Sequence, residues 1–332
     1  MKRIKIAQIG TSENSHGYSM WNTFVSQSDL FEVVGYALPE NEREKFPIVV
    51  EHCFKGCREM TVEEILNDPE IDAVAVETEE IYLTKYALMV AKAGKHLHME
   101  KPGGFSYEDF KELVCVLKEK NLVFSTGYMY RFNPKIREAI EKVKRGDIGR
   151  VYSVEAHMSC MHEPRAREWM NIFPGGMTFF LGCHLIDLIY SIQGEPEEIL
   201  PLSCSTGIDG IESKDLGMVV YKYPHGVSFI KTCASERGGF TRRQLVICGE
   251  KGTLIVSPLE EGHESALHTY LKECYELGWS VPWTETKSEA YDRYIAMVRN
   301  FAEMIRGKKN PYSYNYELKL YEIILKSCGG KI

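Results

Sequence analysis

Apolar and polar positions in the first third of the chain alternate between the periods of strands and helices. The stretch "RIKIAQIG" is typical of a buried strand, and apolar residues recur at helical spacing over residues 18–25. "FEVVGYAL" predicts a second strand, and "TVEEILNDPEIDAVAVET" predicts a helix beginning at Thr61, a stop at Asp68-Pro69 and an apolar strand over 73–78. Two more helix–strand pairs follow, "IYLTKYALMVAKAGKHLHMEKP" and "SYEDFKELVCVLKEKN" with "LVFSTGYMYRF". Strands separated by helices of this length predict a doubly wound parallel sheet.

The pattern changes after roughly residue 127. A helix is expected over about 134–144 and another over about 177–190, between strands such as "VYSVEAHM", "DLGMVVYKYP" and "GVSFIKTCAS". Alternating strands joined by tight turns predict a large, open, mostly antiparallel sheet with one solvated face. We therefore predict an α/β protein with a first domain over 1–126 and an α+β domain over 127–332, whose last helices are able to pack back on the first domain.

Composition narrows the possible partners. A length of 332 residues suits two domains, and the net charge of −7 argues against nucleic acid or an anionic membrane surface as a partner. No apolar run reaches the length of a membrane span, and the chain enters its first strand without an apolar signal segment. Ten cysteines without a Cys-x-x-Cys pair are typical of reduced thiols, so a cytoplasmic protein is expected.

The turn after the first strand, "IAQIGTSENSHGYSMWN", has the position but not the composition of a dinucleotide-binding loop. Gly10 supplies the tight turn, whereas Ser12 and Ser15 stand where Gly-x-Gly-x-x-Gly has its second and third glycines. Small hydroxyl side chains and backbone N–H groups at a helix N-terminus can bind phosphate. Asn14 or Ser15 could cap the helix, and in a slightly longer loop Gly17 would be the close-packing glycine.

Six stretches in register resemble the glucose–fructose oxidoreductase / inositol dehydrogenase / MocA (Gfo/Idh/MocA) family. They are "VEEILNDPEIDAVAVET", "AGKHLHMEKP", "GYMYRFNP", the glycine pair 175–176 with "LGCHLID", "GEKGTL" and "FAEMIRGKKNPYS". The resemblance implies an N-terminal Rossmann domain that binds NAD or NADP, a C-terminal domain whose open sheet forms an oligomer interface, and a sugar, cyclitol or related polyol as substrate. A homodimer or homotetramer is then expected. The cofactor residues implied are Gly10, Thr11, Ser12, Asn14, Ser15, Thr78, Glu100 and Lys101.

The resemblance assigns the chemistry to two residues. Lys101 follows a strand and precedes Pro102, which restricts its backbone, and a lysine there can polarise a substrate hydroxyl. His184 matches the family's general acid/base, and an imidazole can accept the hydroxyl proton as hydride leaves. Both groups are expected to act beside one nicotinamide ring. Asp187, three residues after His184, is expected to have a structural role.

Substrate contacts are implied for Met129, Tyr130 and His184, and more weakly for His157, whereas Arg131 and Asn133 are expected to brace the domain junction. The stretch "EHCFKGC" has no second pair of ligands, so no metal site is predicted.

Several positions depart from the family pattern. Phe180 occupies the place of an aspartate one turn before the histidine, and Met170 replaces an arginine. Either another acid, such as Glu163 or Glu168, substitutes for the aspartate or the substrate differs. Glu79 and Glu80 follow the third strand and are expected to point to solvent.

The acid that binds the adenosine ribose would fall near Leu38, with Glu40 close by, so NAD and NADP are not distinguished. Two alternatives therefore stay open beside a dehydrogenase. One is a non-catalytic binding or regulatory protein, and the other is an NAD-assisted lyase or hydrolase with transient oxidation.

Overall fold

The computed structural model describes residues 2–330, and the chain divides into two compact units. The first unit comprises the chain up to Tyr128 together with Tyr294–Tyr321. The second comprises Met129–Arg293 and the residues from Glu322 onward. The stretch from Tyr294 to Tyr321 thus returns the chain to the first unit. Among residues 2–330, no helix combines the length and apolarity needed to cross a membrane.

Strands and helices alternate up to residue 128. In chain order they are β1 (Ile4–Ile9), α1 (Gly17–Ser26), β2 (Phe31–Ala37), α2 (Glu42–Lys45), α3 (Pro47–Phe54), α4 (Val62–Asn67), β3 (Ala73–Val76), α5 (Leu83–Lys92), β4 (His96–Met99), α6 (Tyr107–Glu119) and β5 (Phe124–Thr126).

Strands predominate after residue 128. In chain order the elements are α7 (Pro134–Arg145), β6 (Val151–Ser159), α8 (Pro164–Trp169), α9 (Met177–Phe180), α10 (Gly182–Gln193), β7 (Glu198–Cys204), β8 (Leu216–Tyr223), β9 (Gly226–Cys233), β10 (Gln244–Gly249), β11 (Gly252–Val256), β12 (Glu261–His263), β13 (Ala266–His268), β14 (Tyr270–Cys274), β15 (Thr284–Lys287), α11 (Ile295–Ile305) and α12 (Tyr314–Ser327).

The first unit contains a parallel sheet of five strands in the order β2-β1-β3-β4-β5. Every residue of β3 is buried, as expected of a strand that is covered on both faces. The predicted doubly wound parallel sheet is confirmed. Because the strands are parallel, the residues that follow them, such as Gly10, Glu77 and Glu100, lie at the same edge of the sheet.

The helix before β3 shows how closely local sequence can fix an element. Thr61 accepts a hydrogen bond from the Glu64 backbone N–H at 3.1 Å, and the Glu64 carboxylate accepts one from the Thr61 N–H at 2.6 Å. This reciprocal capping box satisfies two backbone donors that the first helical turn leaves unpaired. The helix predicted to begin at Thr61 therefore starts where its sequence signal lies.

The second unit contains an eight-stranded sheet in the order β15-β14-β11-β10-β6-β9-β8-β7. All its neighbouring strands are antiparallel except β6 and β9, so the predicted mostly antiparallel sheet is confirmed with one parallel pair. Helix α10 covers one face of this sheet. Gly182 on α10 lets the helix lie close to the sheet, because even a Cβ at this position would come within 3.3 Å of the Ile230 side chain. The other face carries exposed Leu200, Leu202 and Val227.

The helix predicted over 177–190 is interrupted. It consists of α9 and α10, separated at Leu181, whose φ of −107° departs from the helical value. Apolar spacing continues across the break, and eight successive residues from Gly182 to Ile189 are buried. The helical spacing of apolar residues therefore gave no sign of the interruption, and it predicted one continuous helix.

Candidate functional site

The turn after β1 requires a glycine. Gly10 has a φ of +87°, and a Cβ at this position would lie 2.3 Å from Thr78 Cγ2 and 2.7 Å from the Thr78 backbone. The Gln8 amide holds the turn from inside by donating to the Gly10 carbonyl at 3.0 Å and the Gly17 carbonyl at 3.2 Å. The structure therefore brings the predicted cofactor residues Gly10 and Thr78 together, with β1 and β3 ending side by side.

The loop from Thr11 to Gly17 is held together by two serine hydroxyls. Ser12 Oγ accepts from the N–H groups of Asn14 and Ser15 at 3.2 and 3.1 Å, and Ser15 Oγ accepts from those of Ser12 and Gly17 at 3.2 Å each. In a glycine-rich loop such N–H groups are available to phosphate. Here the two serine hydroxyls hold the loop in shape, although the second and third glycines of the Gly-x-Gly-x-x-Gly pattern are absent.

The start of α1 differs from the expected cap. Its N-cap residue is His16, whose side chain makes no capping hydrogen bond, so the expected cap at Asn14 or Ser15 is wrong. The Ser15 hydroxyl serves the loop instead. Gly17 does have the predicted close packing, because a Cβ there would lie 3.1 Å from Thr11 Oγ1 and 3.2 Å from Glu77 Cβ.

A buried carboxyl group lies beneath this loop. Glu42 is 0% exposed, and its Oε2 accepts from the Thr11 N–H at 3.3 Å, whereas its Oε1 has no hydrogen-bond partner among residues 2–330. Burial raises the pKa of Glu42 to about 9, against the opposing bond from Thr11. Glu40, the acid expected near this point, instead accepts from Lys85 at 2.5 Å and Tyr86 at 2.7 Å.

The acids that follow β3 also lie inside. Glu77 and Glu80 are each 0% exposed, so the expectation that Glu80 points to solvent is wrong. Glu79 is mostly buried as well and pairs with Lys45 at 2.9 Å. Burial raises the pKa of Glu80 to about 7 despite the charge of Lys101. Burial, reinforced by the charge of Glu100, likewise raises the pKa of Glu77 well above its ordinary value.

The end of β4 positions Glu100 and Lys101. Their side chains are each 2% exposed, and the Lys101 ammonium lies 3.6 Å from Glu100 Oε1. The peptide bond between Lys101 and Pro102 is cis. A buried ammonium beside a buried carboxylate is a charge pair that a polar ligand can engage.

These residues fit a dinucleotide. Buried carboxyl oxygens of Glu42, Glu77 and Glu80 have no hydrogen-bond partner among residues 2–330, although Glu77 Oε1 lies 3.6 Å from His98 Nε2. A ribose hydroxyl that reached one of these oxygens would donate a hydrogen bond to it and remove the cost of burying it unpaired. The sheet edge beside Glu77 and Glu80 is where parallel α/β sheets bind ligands.

In the second unit, His184 lies on α10 and is 1% exposed. Its ring meets the Tyr130 ring edge to face, with centroids 5.2 Å apart. Tyr130 and Met129 belong to a short helical turn over Met129–Phe132, and both are buried. The structure thus brings Tyr130 and His184, two of the predicted substrate residues, into contact.

A network of buried charges fixes the Tyr130 hydroxyl. It donates to Glu260 Oε2 at 2.8 Å, and Arg293 donates to both oxygens of the same carboxylate at 2.7 and 3.0 Å. Arg243 in turn donates to the Tyr130 oxygen at 3.3 Å. Burial raises the pKa of Tyr130, and the Glu260 charge adds to this effect. Tyr130 is therefore a neutral donor whose orientation is set by Glu260.

Asp187 has the structural role expected of it. The Arg131 guanidinium donates to its two oxygens at 2.9 and 2.8 Å, and both side chains are almost fully buried. This bidentate pair joins the turn that carries Tyr130 to the helix that carries His184. Asn133 caps α7 and donates to the Leu259 carbonyl at 2.8 Å. Arg131 and Asn133 thus brace the second unit internally.

The position of the missing aspartate is filled by aromatic contacts. Phe180 stacks parallel to Phe173 at 5.9 Å and meets Trp169 edge to face at 5.3 Å. Glu163 and Glu168, named as substitute acids, are both exposed.

His157 does not join the group around His184. Its neighbours on β6, Ala156 and Met158, pair with β9 residues whose side chains lie beside Gly182 of α10. Because side chains alternate between the two faces along a strand, that of His157 points to the face away from α10. There it contacts Ser159 Oγ at 2.8 Å and Glu236 at 3.3 Å. Its substrate role stays a prediction without support from this geometry.

Sequence reasoning missed Glu42, Glu77, Glu260 and His16. The signal for Glu77 was its position directly after a fully apolar strand, but a run of glutamates normally indicates a solvated turn.

The stretch with Cys53 and Cys57 places the first thiol inside and the second outside, and no group of three or more potential ligands suits a metal ion in the described part of the chain.

Comparison with known proteins places both halves of the chain in one family. Residues 4–128 match the family described as "Oxidoreductase family, NAD-binding Rossmann fold", and residues 136–255 match the GFO/IDH/MocA C-terminal domain. A 3-ketoreductase from Actinomadura kijaniata, solved with NADP and TDP-benzene, superposes with a TM-score of 0.80 over 99% of this chain and 98% of its own, at 16% identity. That likeness shows the fold.

Curated relatives match a shorter part. The 1,5-anhydro-D-fructose reductase of Ensifer adhaerens is 28% identical over 168 residues, which are 49% of this chain and 50% of the reductase. The myo-inositol 2-dehydrogenase of Thermotoga maritima is 25% identical over 203 residues, 60% of each chain. The chain thus spans about half the length of the curated relatives it matches. On the two family matches, which together take in well over half of its residues, the chain belongs to the Gfo/Idh/MocA oxidoreductase family and begins with an NAD-binding Rossmann domain.

Proposed function

We propose that this protein is an NAD- or NADP-dependent dehydrogenase that acts on a CH–OH group of a sugar, cyclitol or related polyol. The observation that carries the proposal is the buried Lys101 ammonium at the carboxyl end of β4, held 3.6 Å from Glu100. Relatives named as a 1,5-anhydro-D-fructose reductase and a myo-inositol dehydrogenase support the substrate class. The substrate itself is open.

Two side chains are proposed to act in this step, those of Lys101 and His184. A bound nicotinamide dinucleotide would supply the hydride acceptor in the oxidative direction. Lys101 would donate a hydrogen bond to the substrate oxygen and stabilise negative charge that develops there. His184 would accept the hydroxyl proton, so that the carbinol loses a hydride and a proton and becomes a carbonyl.

We further propose that the protein is cytoplasmic and that it binds no metal, nucleic acid or membrane. A homodimer or homotetramer is proposed as its assembly, because the outer face of the eight-stranded sheet exposes Leu200, Leu202 and Val227. Sedimentation equilibrium of the full chain tests the assembly.

The test combines binding and turnover. Titration calorimetry with NAD, NADP and their reduced forms is expected to give a micromolar dissociation constant for at least one of them. Absorbance at the reduced-nicotinamide band, scanned over a panel of sugars and cyclitols, is expected to identify a substrate. Lys101→Met should lower kcat/KM by about 100-fold or more, the effect typical of removing a group that stabilises transition-state charge. Binding of no dinucleotide would overturn the proposal.

One observation favours a second candidate, a non-catalytic binding protein. The loop N–H groups of Ser12, Asn14, Ser15 and Gly17 are all bonded to serine hydroxyls, so a diphosphate would have to compete with them. This candidate predicts ligand binding with no substrate-dependent change in nicotinamide absorbance and no turnover for Lys101→Met to remove.

A further inference from the structure

The Lys101 ammonium lies at the inner end of a short row of charged groups that reaches the surface of the first unit. Glu100 Oε1 lies 3.6 Å from the ammonium, and the other carboxylate oxygen, Oε2, lies 3.3 Å from His16 Nδ1. We propose that His16 is a positioning residue that acts through Glu100 to set the orientation and the effective charge of Lys101. This inference rests on the proposed function only for the catalytic use of Lys101. No part of the resemblance assigns a role to His16.

The Glu100 carboxylate has little freedom to move away from this position. A Cβ at Gly127, the residue after β5, would lie 2.8 Å from Glu100 Oε2 and 3.1 Å from the Lys101 backbone nitrogen. Any other residue at Gly127 would displace the carboxylate. The backbone of Glu100 is itself fixed, since its N–H donates to the Val76 carbonyl at 3.0 Å. Each of the two oxygens therefore faces one cationic or titratable partner.

Glu100 is the ionised member of the surrounding acids. Burial acts to raise the pKa of Glu100, but the facing His16, Lys101 and His98 outweigh burial and lower it. The pKa values of Glu77 and Glu80 are raised, chiefly by burial, so these neighbours are biased toward their neutral forms. The local charge thus depends on Glu100, Lys101 and His16, together with Glu80. The pKa of Glu80, about 7, has the same causes in wild type and in His16 variants, so that ratios to wild type isolate His16.

Among these three groups, His16 is the one that meets solvent. Its side chain is 24% exposed, against 2% for Glu100 and 2% for Lys101. Its ring also packs against that of Tyr294, with centroids 5.5 Å apart, which limits its rotation. His16 therefore connects the buried pair to the solvent-facing surface through a single hydrogen bond to Glu100.

The sign of the effect follows from the row of charges. When His16 is protonated, Glu100 is shared between two cations, and the Lys101 ammonium is less neutralised and a stronger donor to a substrate oxygen. When His16 loses its proton, Glu100 interacts with Lys101 alone, and the ammonium becomes a weaker electrophile. The contribution of His16 to kcat/KM should therefore be greatest at low pH and decline as His16 deprotonates.

Histidine-selective NMR of the full chain tests the coupling without any turnover. The His16 ring signal is assigned by its loss in His16→Gln and titrated in wild type, Glu100→Gln and Lys101→Met. Glu100→Gln should weaken proton binding by His16, because the carboxylate beside the ring is lost, and Lys101→Met should strengthen it, because Glu100 then interacts with the ring alone. An unchanged His16 midpoint in both variants overturns the inference, and the second variant keeps the test valid if the first does not fold.

Kinetics supply the functional readout. His16→Ala should lower kcat/KM about tenfold near pH 6 and less near pH 8. His16→Gln, whose neutral amide can still donate to Glu100, should recover the loss near pH 8 but not near pH 6, so its ratio to wild type falls as the pH falls. His52→Gln is the matched control, because His52 is exposed on α3 and bonds only locally, to the Ile48 carbonyl. Equal pH profiles for wild type and His16→Gln would contradict the inference. Absence of all dinucleotide-dependent turnover would instead contradict the proposed function, and the NMR titration would still decide the role of His16.

Discussion

Replacing Glu42 with glutamine should stabilise the protein, and increasingly so as the pH rises. Glu42 is fully buried, and burial raises its pKa from 4.5 to about 9. The folded state therefore retains a proton that the unfolded state releases above pH 4.5. Stability from this group is fully present below pH 4.5 and is lost progressively up to about pH 9. Glutamine resembles the protonated acid in shape and keeps an oxygen that can accept from the Thr11 N–H.

The magnitude follows from the pKa difference. One unit corresponds to about 1.4 kcal/mol, so at pH 7 the wild-type protein has lost about 3 kcal/mol that Glu42→Gln avoids. At pH 5 the difference shrinks to below about 1 kcal/mol. The pH dependence, more than the absolute value, identifies the mechanism, because a simple packing change would shift stability equally at both pH values.

Urea unfolding at pH 5, 7 and 8.5 measures this effect. Trp21 lies in the first unit against Phe54, and in a background with the other three tryptophans changed to phenylalanine its fluorescence reports on that unit. Glu44→Gln on the same short helix is the matched control, since Glu44 is exposed. Equal free energies of unfolding for Glu42→Gln and wild type across this pH range would refute the reasoning.

Three further predictions concern the framework of the site. Asp187→Asn should lower the free energy of unfolding by about 3–5 kcal/mol, because it leaves Arg131 buried without its counter-charge, and urea unfolding of the full chain measures the loss. Gly10→Ala should lower the free energy of unfolding by at least about 2 kcal/mol, because of the positive φ at this position and the overlap of the new Cβ with Thr78. Calorimetry should then show dinucleotide binding weakened tenfold or more, and unchanged binding would contradict the close approach of the two strand ends. Thr61→Ala should lower stability by about 1 kcal/mol in thermal unfolding, and Thr61→Ser should restore most of it if the capping box is responsible.

The sequence predicted those elements whose causes are local. Thr61 and Glu64 carry their own capping signal, and the apolar run over Ala73–Val76 marks a strand buried on both faces wherever it is placed. The parallel pairing of β6 with β9 was beyond such reasoning, because strand partners distant in sequence leave no local pattern. The break at Leu181 was missed for a related reason, since both sides of it keep helical spacing.

In the candidate site, too, local sequence predicted some residues, whereas others depend on contacts that only the fold creates. Gly10 and Thr78 were expected as cofactor residues, and the structure brings them together at the ends of β1 and β3. The burial of Glu80 was not expected, because charge predicts exposure unless the fold places a residue at the covered edge of a sheet. The link from His16 to Glu100 joins residues 84 positions apart and could be seen only once β1 and β4 shared a sheet.

Hydride transfer between a nicotinamide dinucleotide and a CH–OH group is the activity proposed for this chain. Its most direct test is incubation of the protein and oxidised dinucleotide with polyols and sugars that carry deuterium on carbon, followed by mass spectrometry of the nicotinamide. Deuterium is expected in the reduced nicotinamide with at least one substrate, and this label should be lost in Lys101→Met. Dinucleotide that binds but stays unlabelled with every compound would contradict the dehydrogenase and leave a binding protein.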